Sequence, residues 1–113
     1  MNNLTAHELK KKMEEVSGLL VINVLPADSF KDCHITSSVN IPLAELEGQS
    51  KEWPKHKKIV VYCAHATCPA SRQAYELLTK LGFENIFIYE GGIKEWHQKG
   101  LPTQGACQAD YLQ

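Results

Sequence analysis

The segment KKIVVYC, residues 57–63, constrains the fold more than any other stretch of the sequence. It is short and rich in β-branched and aromatic residues, which is typical of a strand buried on both faces of a parallel sheet. Residues 70–81 follow with an amphipathic helical pattern, and Gly82 is placed to end this helix in the left-handed conformation. The chain therefore passes from a buried strand into a helix through the loop of residues 64–69.

The same alternation of strands and helices continues on either side of this unit. Thr5 and Glu8 have the spacing of a capping box, which predicts a first helix. The other predicted elements are a strand at 18–25, a weaker strand at 37–43, helical turns at 43–53, a strand at 84–90 and a last helix that stops at Gly100. This order predicts an α/β fold, an open parallel sheet with helices on both faces. We expect one domain over residues 1–103 and an irregular C-terminal tail over residues 104–113.

Composition argues against several classes of partner. The formal net charge is -1, with 43% hydrophobic and 22% charged residues. We expect no nucleic acid and no membrane as partners, because there is no charge excess and no apolar run of about 18 residues. The N-terminal segment lacks the apolar core of a secretory signal, so a cytoplasmic location is expected.

The four cysteines are Cys33, Cys63, Cys68 and Cys107. We expect reduced thiols, because a chain with this much apolar sequence does not need disulfides to hold its fold. A structural zinc site usually needs two close pairs of ligands, and only Cys63 and Cys68 are close in sequence. We therefore expect neither a bound metal nor another cofactor.

Cys63 lies at the carboxyl end of the predicted strand 57–63, where open parallel sheets place their ligand sites. If residues 64–69 wrap around its sulfur, successive backbone N–H groups form an anion nest, and the dipole of the next helix adds to their effect. Such surroundings lower a thiol pKa from its usual value of about 8.5. The sequence therefore predicts that Cys63 is a thiolate.

Three segments resemble the single-domain rhodaneses, which are sulfurtransferases. They are LLVINVLPADSFKDCHITSSVNIPLAEL, YCAHATCPASRQAYELLTKLGF and IYEGGIKEWHQKGLP, and the likeness extends over residues 4–103. The resemblance implies a rhodanese-like fold and a loop cysteine, here Cys63, that takes a sulfane sulfur from a small donor such as thiosulfate or a persulfide. Cys63 would hold this sulfur as a persulfide and pass it to a thiol or cyanide-like acceptor. The backbone N–H groups implied to stabilise it are those of Ala64, His65, Ala66, Thr67 and Cys68.

The sequence departs from the family pattern at several positions. Cys68 stands where many members have a basic residue, and the loop is longer by one or two residues. Rhodanese-fold phosphatases and arsenate reductases place an arginine six positions after the catalytic cysteine, where this chain has Pro69. Those two activities are therefore disfavoured, because no guanidinium is available there to bind an oxyanion. Asn23 and Leu25 replace an acidic residue and an arginine, and Cys33 replaces a glycine.

Three side chains near the loop have more than one interpretation. Cys68 has three interpretations. It is a replacement for a dispensable basic residue, a thiol that resolves an oxidised or persulfidated Cys63 by forming a disulfide, or the residue that bears the persulfide itself. His65 either holds the thiolate or an anionic donor, or is an exposed histidine without a role. Arg72 in the first helical turn either indicates a nearby anion or is a solvated residue paired with Glu76.

The function predicted from these observations is that of a sulfurtransferase or sulfane-sulfur carrier using Cys63. One alternative is a redox protein in which Cys63 and Cys68 cycle between a dithiol and a disulfide. Another is a noncatalytic regulatory binding module that keeps only the fold. A thiosulfate-dependent persulfide on Cys63 favours the first function, and a reversible disulfide without sulfur transfer favours the second.

Overall fold

The computed structural model describes residues 1–113, and a parallel sheet forms its centre. The strands are β1 (Leu20–Asn23), β2 (His34–Ile35), β3 (Val39–Asn40), β4 (Lys58–Tyr62), β5 (Asn85–Tyr89) and β6 (Thr103–Gln104). Four of them form the main sheet in the order β3-β1-β4-β5, all parallel. Strands β2 and β6 pair antiparallel as a separate small sheet.

The helices cover both faces of the main sheet. They are α1 (Ala6–Glu15), α2 (Ala27–Asp32), α3 (Leu43–Gln49), α4 (Ala70–Lys80) and α5 (Gly92–Gln98), with two 3-10 turns at Ser50–Glu52 and Asp110–Leu112. None of the helices combines the length and hydrophobicity needed to span a membrane.

The residues of β4 alternate between two hydrophobic cores. Ile59 and Val61 pack with side chains of α3 and α4, whereas Val60 and Tyr62 pack with side chains of α1 and α5. This alternation is what a strand buried on both faces requires, because successive side chains point to opposite sides of the sheet. The predicted α/β fold with helices on both faces is therefore confirmed.

Two of the predicted helix ends are confirmed in atomic detail. The Thr5 side chain accepts the N–H of Glu8 at 3.1 Å, and the Glu8 carboxylate accepts the N–H of Thr5 at 2.9 Å. Gly82 follows α4 with φ of 97°, the left-handed conformation that favours glycine. The sequence prediction missed α2, which has no buried residue and therefore no apolar stripe to reveal it.

The C-terminal segment is more ordered than the irregular tail predicted for residues 104–113. Its first residue pairs with β2 in the small sheet, and Leu112 is 2% exposed in the core beside α1 and α5. The Asp32 carboxylate accepts the N–H groups of Gln108 at 3.0 Å and Ala109 at 3.1 Å. These partners are far apart in sequence, so no local periodicity could predict the conformation of the segment.

A disulfide also attaches this segment to the domain. Cys33 and Cys107 are bonded, with their Cα atoms 4.5 Å apart. The sequence predicts reduced thiols, and this prediction is wrong here. It depended on the amount of apolar sequence, which does not show which cysteines the fold brings together. The two residues are 74 positions apart, and only the return of the C-terminal segment to α2 and β2 makes them neighbours.

Truncation of the C-terminal anchor tests whether it belongs to the core. We expect Leu112→Ala to lower the free energy of unfolding by about 2 to 3 kcal/mol, because it leaves a cavity at a buried site. The exposed neighbour gives a matched control, Gln113→Ala, with an expected change within about 0.5 kcal/mol. Urea denaturation followed by tryptophan fluorescence measures both variants. Equal midpoints for Leu112→Ala and the unmodified protein would contradict this structure of the segment.

Candidate functional site

The loop of residues 64–69 joins β4 to α4 at the carboxyl edge of the main sheet, and α5 holds its first residues. The carbonyl of Cys63 accepts the N–H of Ile93 at 2.9 Å, and the carbonyl of Ala64 accepts the N–H of Lys94 at 2.9 Å. These donors lie in the first turn of α5, where N–H groups have no partner within the helix. The position of Cys63 is therefore set by strand β4 on one side and by α5 on the other.

Gly92 makes this close approach possible. Its φ is 71°, and a Cβ atom there would lie 2.6 Å from the carbonyl carbon of Ala64 and 2.7 Å from the carbonyl oxygen of Cys63. No side chain fits at those distances, and left-handed backbone is itself unfavourable for other residues. A glycine is therefore required at the contact between α5 and the loop.

The sulfur of Cys63 lies between Cys68 and Ser71. Cys63 is 1% exposed, and the structure joins it to Cys68 as a disulfide with a Cα–Cα distance of 6.5 Å. The expectation of reduced thiols is thus wrong for this pair also, whereas a contact between the two sulfurs is what a resolving role for Cys68 requires. The Ser71 hydroxyl oxygen lies 3.4 Å from the Cys63 sulfur.

Sequence reasoning missed Ser71 as a neighbour of the Cys63 sulfur. Ser71 is 2% exposed, although serine is usually found at the surface. The available signal was its position in the first turn of the helix that follows the loop, where a small polar side chain can turn back toward the strand end.

The amide nest predicted around Cys63 is not formed in this disulfide-bonded arrangement. The N–H of Cys68 donates to the carbonyl of His65 at 3.1 Å and closes a turn, and no loop N–H donates to the Cys63 sulfur. The carbonyl oxygen of Cys68 instead lies 3.6 Å from that sulfur. A binding role for the loop amides stays a prediction for the reduced protein; they are those of Ala64, His65, Ala66, Thr67 and Cys68.

His65 connects the loop to the C-terminal segment. Its Nδ1 atom lies 3.0 Å from the Thr67 hydroxyl, and its ring meets the ring of Tyr111 edge to face, with centroids 6.3 Å apart. Burial, and secondarily the charge of Asp32, raise the pKa of Tyr111 above its usual value. The sequence prediction did not include Tyr111, because nothing local shows that the C-terminal segment reaches the loop.

Arg72 is bound to an acidic side chain other than the one expected. Its Nε and Nη2 atoms each lie 2.7 Å from an oxygen of Glu90, the residue that follows β5. The predicted alternative of a pair with Glu76 is wrong, because the side chain extends across the sheet edge and not along its own helix. A role of Arg72 toward an anionic substrate stays a prediction. Its side chain is 57% exposed.

Neutral amides connect the ends of β1 and β3, where the family pattern has charged residues. The Asn40 side chain donates to the carbonyls of Asn23 at 3.1 Å and Leu25 at 2.8 Å, and the Asn23 side chain accepts the N–H of Leu25 at 2.9 Å. These hydrogen bonds connect the edge of the sheet without the charged residues of the family pattern, whereas the buried Nδ2 group of Asn23 has no hydrogen-bond partner.

A cleft of about 350 Å³ opens beside the loop. Its polar lining residues are His65, Thr67, Lys94, Glu95 and Gln98. Glu95 accepts the hydroxyl proton of Tyr89 at 2.7 Å, whereas Lys94 forms no salt bridge. The cleft thus places an ammonium group without an acidic partner on the wall next to the loop.

Comparison with known proteins agrees with this architecture. The profile of the Rhodanese-like domain family matches residues 5–99. This chain belongs to the rhodanese-like family. It is 28% identical over 96 residues to the thiosulfate sulfurtransferase GlpE of Coxiella burnetii, an alignment that covers 85% of this chain and 84% of that one. The family resemblance predicted from the three sequence segments is confirmed.

Two solved structures show the same fold. The BH2092 protein of Bacillus halodurans superposes with a TM-score of 0.86 at 26% identity, covering 97% of this chain and 82% of the other. A rhodanese-related protein from Thermoplasma volcanium gives a TM-score of 0.78 at 32% identity, covering 92% of this chain and 98% of that protein.

Adjacent glycines provide a test of the contact between α5 and the loop. We expect Gly92→Ala to lower the free energy of unfolding by about 2 kcal/mol or more, because its methyl group meets loop backbone and left-handed φ is unfavourable. Gly91→Ala is the matched control, since its methyl group meets mainly the flexible side chain of Glu95 at an ordinary φ. Thermal denaturation of both variants measures the difference. Equal stability of the two would contradict the close approach of α5 to the loop.

Proposed function

We propose that this protein is a sulfurtransferase or sulfane-sulfur carrier in which Cys63 forms a persulfide. The observation that supports it most is the position of Cys63 between the inner strand β4 and a loop held by α5, in a chain that belongs to the rhodanese-like family. The relative from Coxiella burnetii is named a thiosulfate sulfurtransferase, and we therefore propose a thiosulfate-type donor.

The first half-reaction transfers one sulfur to the enzyme. The Cys63 thiolate attacks the sulfane sulfur of thiosulfate, the sulfur–sulfur bond of the donor breaks, and sulfite leaves with the electron pair. The enzyme then holds a persulfide, Cys63–S–S⁻. A nucleophilic acceptor such as cyanide or a thiolate attacks the outer sulfur, forms thiocyanate or a new persulfide, and returns Cys63 to the thiolate.

Reduction of the disulfide must precede this chemistry, because a Cys63 sulfur bonded to Cys68 has no lone thiolate to attack a donor. Once reduced, Cys63 has the Ser71 hydroxyl within reach as a hydrogen-bond donor and lies before the N-terminus of α4. A hydrogen bond to the charged form and a positive helix end both lower the pKa of a thiol.

Three cationic or polar side chains are proposed to handle the charge of an anionic donor. His65 and Lys94 line the cleft beside the loop. Arg72 lies on the other side, in the first turn of α4, and has to share its guanidinium between Glu90 and a bound anion. We propose that small anionic donors enter through the cleft.

The cytoplasmic location expected from the sequence stays a prediction.

A second candidate function is a dithiol redox protein, and the disulfide between Cys63 and Cys68 is the observation that favours it. Such a protein would cycle between dithiol and disulfide without moving a sulfur atom. Intact-mass analysis of the reduced Cys68→Ser variant after mixing with thiosulfate separates the two functions. Gain of one sulfur on Cys63 supports sulfur transfer, and no gain favours the redox function.

Replacement of the proposed nucleophile tests the main proposal. We expect Cys63→Ser to abolish formation of thiocyanate from thiosulfate and cyanide, because a hydroxyl group does not form the persulfide. Circular dichroism should be unchanged, since serine is close in shape to cysteine. Cys107→Ser, which breaks the other disulfide, is the control and should keep measurable activity. A Cys63→Ser protein with near wild-type thiocyanate formation would refute the assignment of Cys63.

The residue before α4 predicts that two related activities, phosphate ester hydrolysis and arsenate reduction, are absent. Pro69 precedes α4 and provides no guanidinium at that position to bind an oxyanion. We expect negligible hydrolysis of aryl phosphates and no reduction of arsenate. Colorimetric assays with the reduced protein measure both, and turnover that disappears in Cys63→Ser would show that another cation has taken over this role.

A further inference from the structure

We propose that Cys68 converts the persulfide on Cys63 into free hydrosulfide, so that the protein releases sulfide in addition to passing sulfur to external acceptors. This inference rests on the proposed function, since it begins from the Cys63 persulfide. It assigns to Cys68 an internal attack that replaces the external acceptor.

The backbone already places the two cysteines for this reaction. Their Cα atoms are 6.5 Å apart, within the usual range for a disulfide, and the structure has the two sulfurs bonded. The turn closed by the Cys68 N–H and the His65 carbonyl holds Cys68 over the strand end. Cys68 therefore reaches the Sγ atom of Cys63, which is the inner sulfur of a persulfide, without movement of β4 or α4.

The point of attack decides the product. Attack by Cys68 on the outer sulfur would only move the persulfide from one cysteine to the other. Attack on the inner sulfur forms the Cys63–Cys68 bond and expels the outer sulfur. The disulfide seen in the structure is the product of the second reaction, and the N–H groups of Ile93 and Lys94 in α5 still bind the carbonyls of Cys63 and Ala64 when it is present.

The step balances in atoms, charge and electrons: Cys63–S–S⁻ + HS–Cys68 → Cys63–S–S–Cys68 + HS⁻. The bond between the inner and outer sulfurs breaks, and the outer sulfur leaves with its electron pair and with the proton from the Cys68 thiol. The two cysteine sulfurs are oxidised to the disulfide, and the sulfane sulfur is reduced to sulfide. A dithiol reductant then supplies two electrons and two protons to restore both thiols.

The other two cysteines are excluded from this role by the fold. Cys33 packs in the core with α1 and α5, whereas Cys63 packs in the core with α3 and α4, on the opposite face of the sheet. Cys107 lies beside Cys33, with their Cα atoms 4.5 Å apart, and packs against the same core as Cys33. Cys68 is thus the internal thiol that can reach the persulfide.

An internal thiol also has a concentration advantage over a diffusing one. A group tethered within a few residues has an effective concentration of about millimolar, and a well-oriented one far more. External acceptors at micromolar concentration would therefore compete poorly with Cys68. We expect the persulfide of the unmodified protein to be short-lived unless a strong acceptor is present.

A single-turnover experiment tests this inference. The protein is reduced with a dithiol, desalted without oxygen and mixed with one equivalent of thiosulfate, and sulfite and sulfide are measured over time. We expect sulfite first, then an equal amount of sulfide, with a Cys63–Cys68 disulfide found by peptide mapping. In Cys68→Ser, sulfite should still form, the persulfide should remain on Cys63, and sulfide release should slow by about tenfold or more.

Cys107→Ser is the matched control, because it removes a thiol by the same substitution in the other disulfide, and it should release sulfide like the unmodified protein. If Cys68→Ser does not fold, Cys68→Ala replaces it, and peptide mapping of the unmodified protein tests the product without any variant. A persulfide equally long-lived with and without Cys68, or sulfur located on Cys68, would overturn the inference and leave sulfur transfer intact. Absence of both sulfite and persulfide in folded Cys68→Ser would instead overturn the proposed function.

Discussion

Contact between the first turn of α5 and the loop after β4 is the constraint on which the site depends. Two helix N–H groups that would otherwise lack partners bind the carbonyls of Cys63 and Ala64, each at 2.9 Å. The contact exists because Gly92 has no Cβ atom where loop backbone would meet it. The proposed role of Cys63 needs such support, because a mobile loop would not hold a thiolate in one geometry.

The electrostatic potential around the Cys63 sulfur comes from several weak contributions and not from one strong cation. The position where related phosphatases bind an oxyanion with arginine is Pro69, and Arg72 is already paired with Glu90. What remains near the sulfur is a serine hydroxyl, the N-terminus of α4 and the side chains that line the adjacent cleft. A small anionic donor, and not a phosphate ester, is therefore the ligand that we propose for this site.

The two disulfides lie on opposite faces of the sheet and have different consequences. Cys33–Cys107 attaches the C-terminal segment to the core of α1 and α5. Cys63–Cys68 lies within the loop itself and, in the proposed function, has to be reduced before Cys63 can act as a nucleophile. The first bond therefore concerns the attachment of the C-terminal segment, whereas the second concerns the chemical state of the proposed site.

The sequence by itself determined the parts of this protein that depend on local pattern. The run at 57–63, the amphipathic residues 70–81 and the capping box at Thr5 are visible in neighbouring residues, and a parallel sheet necessarily brings strand ends to one edge. Only the tertiary structure decided the pairing of Cys33 with Cys107, of Arg72 with Glu90 and the packing of Leu112. Each of these contacts joins residues from distant parts of the chain. They come together because whole helices and strands pack against one another, and a local periodicity in the sequence does not show that packing.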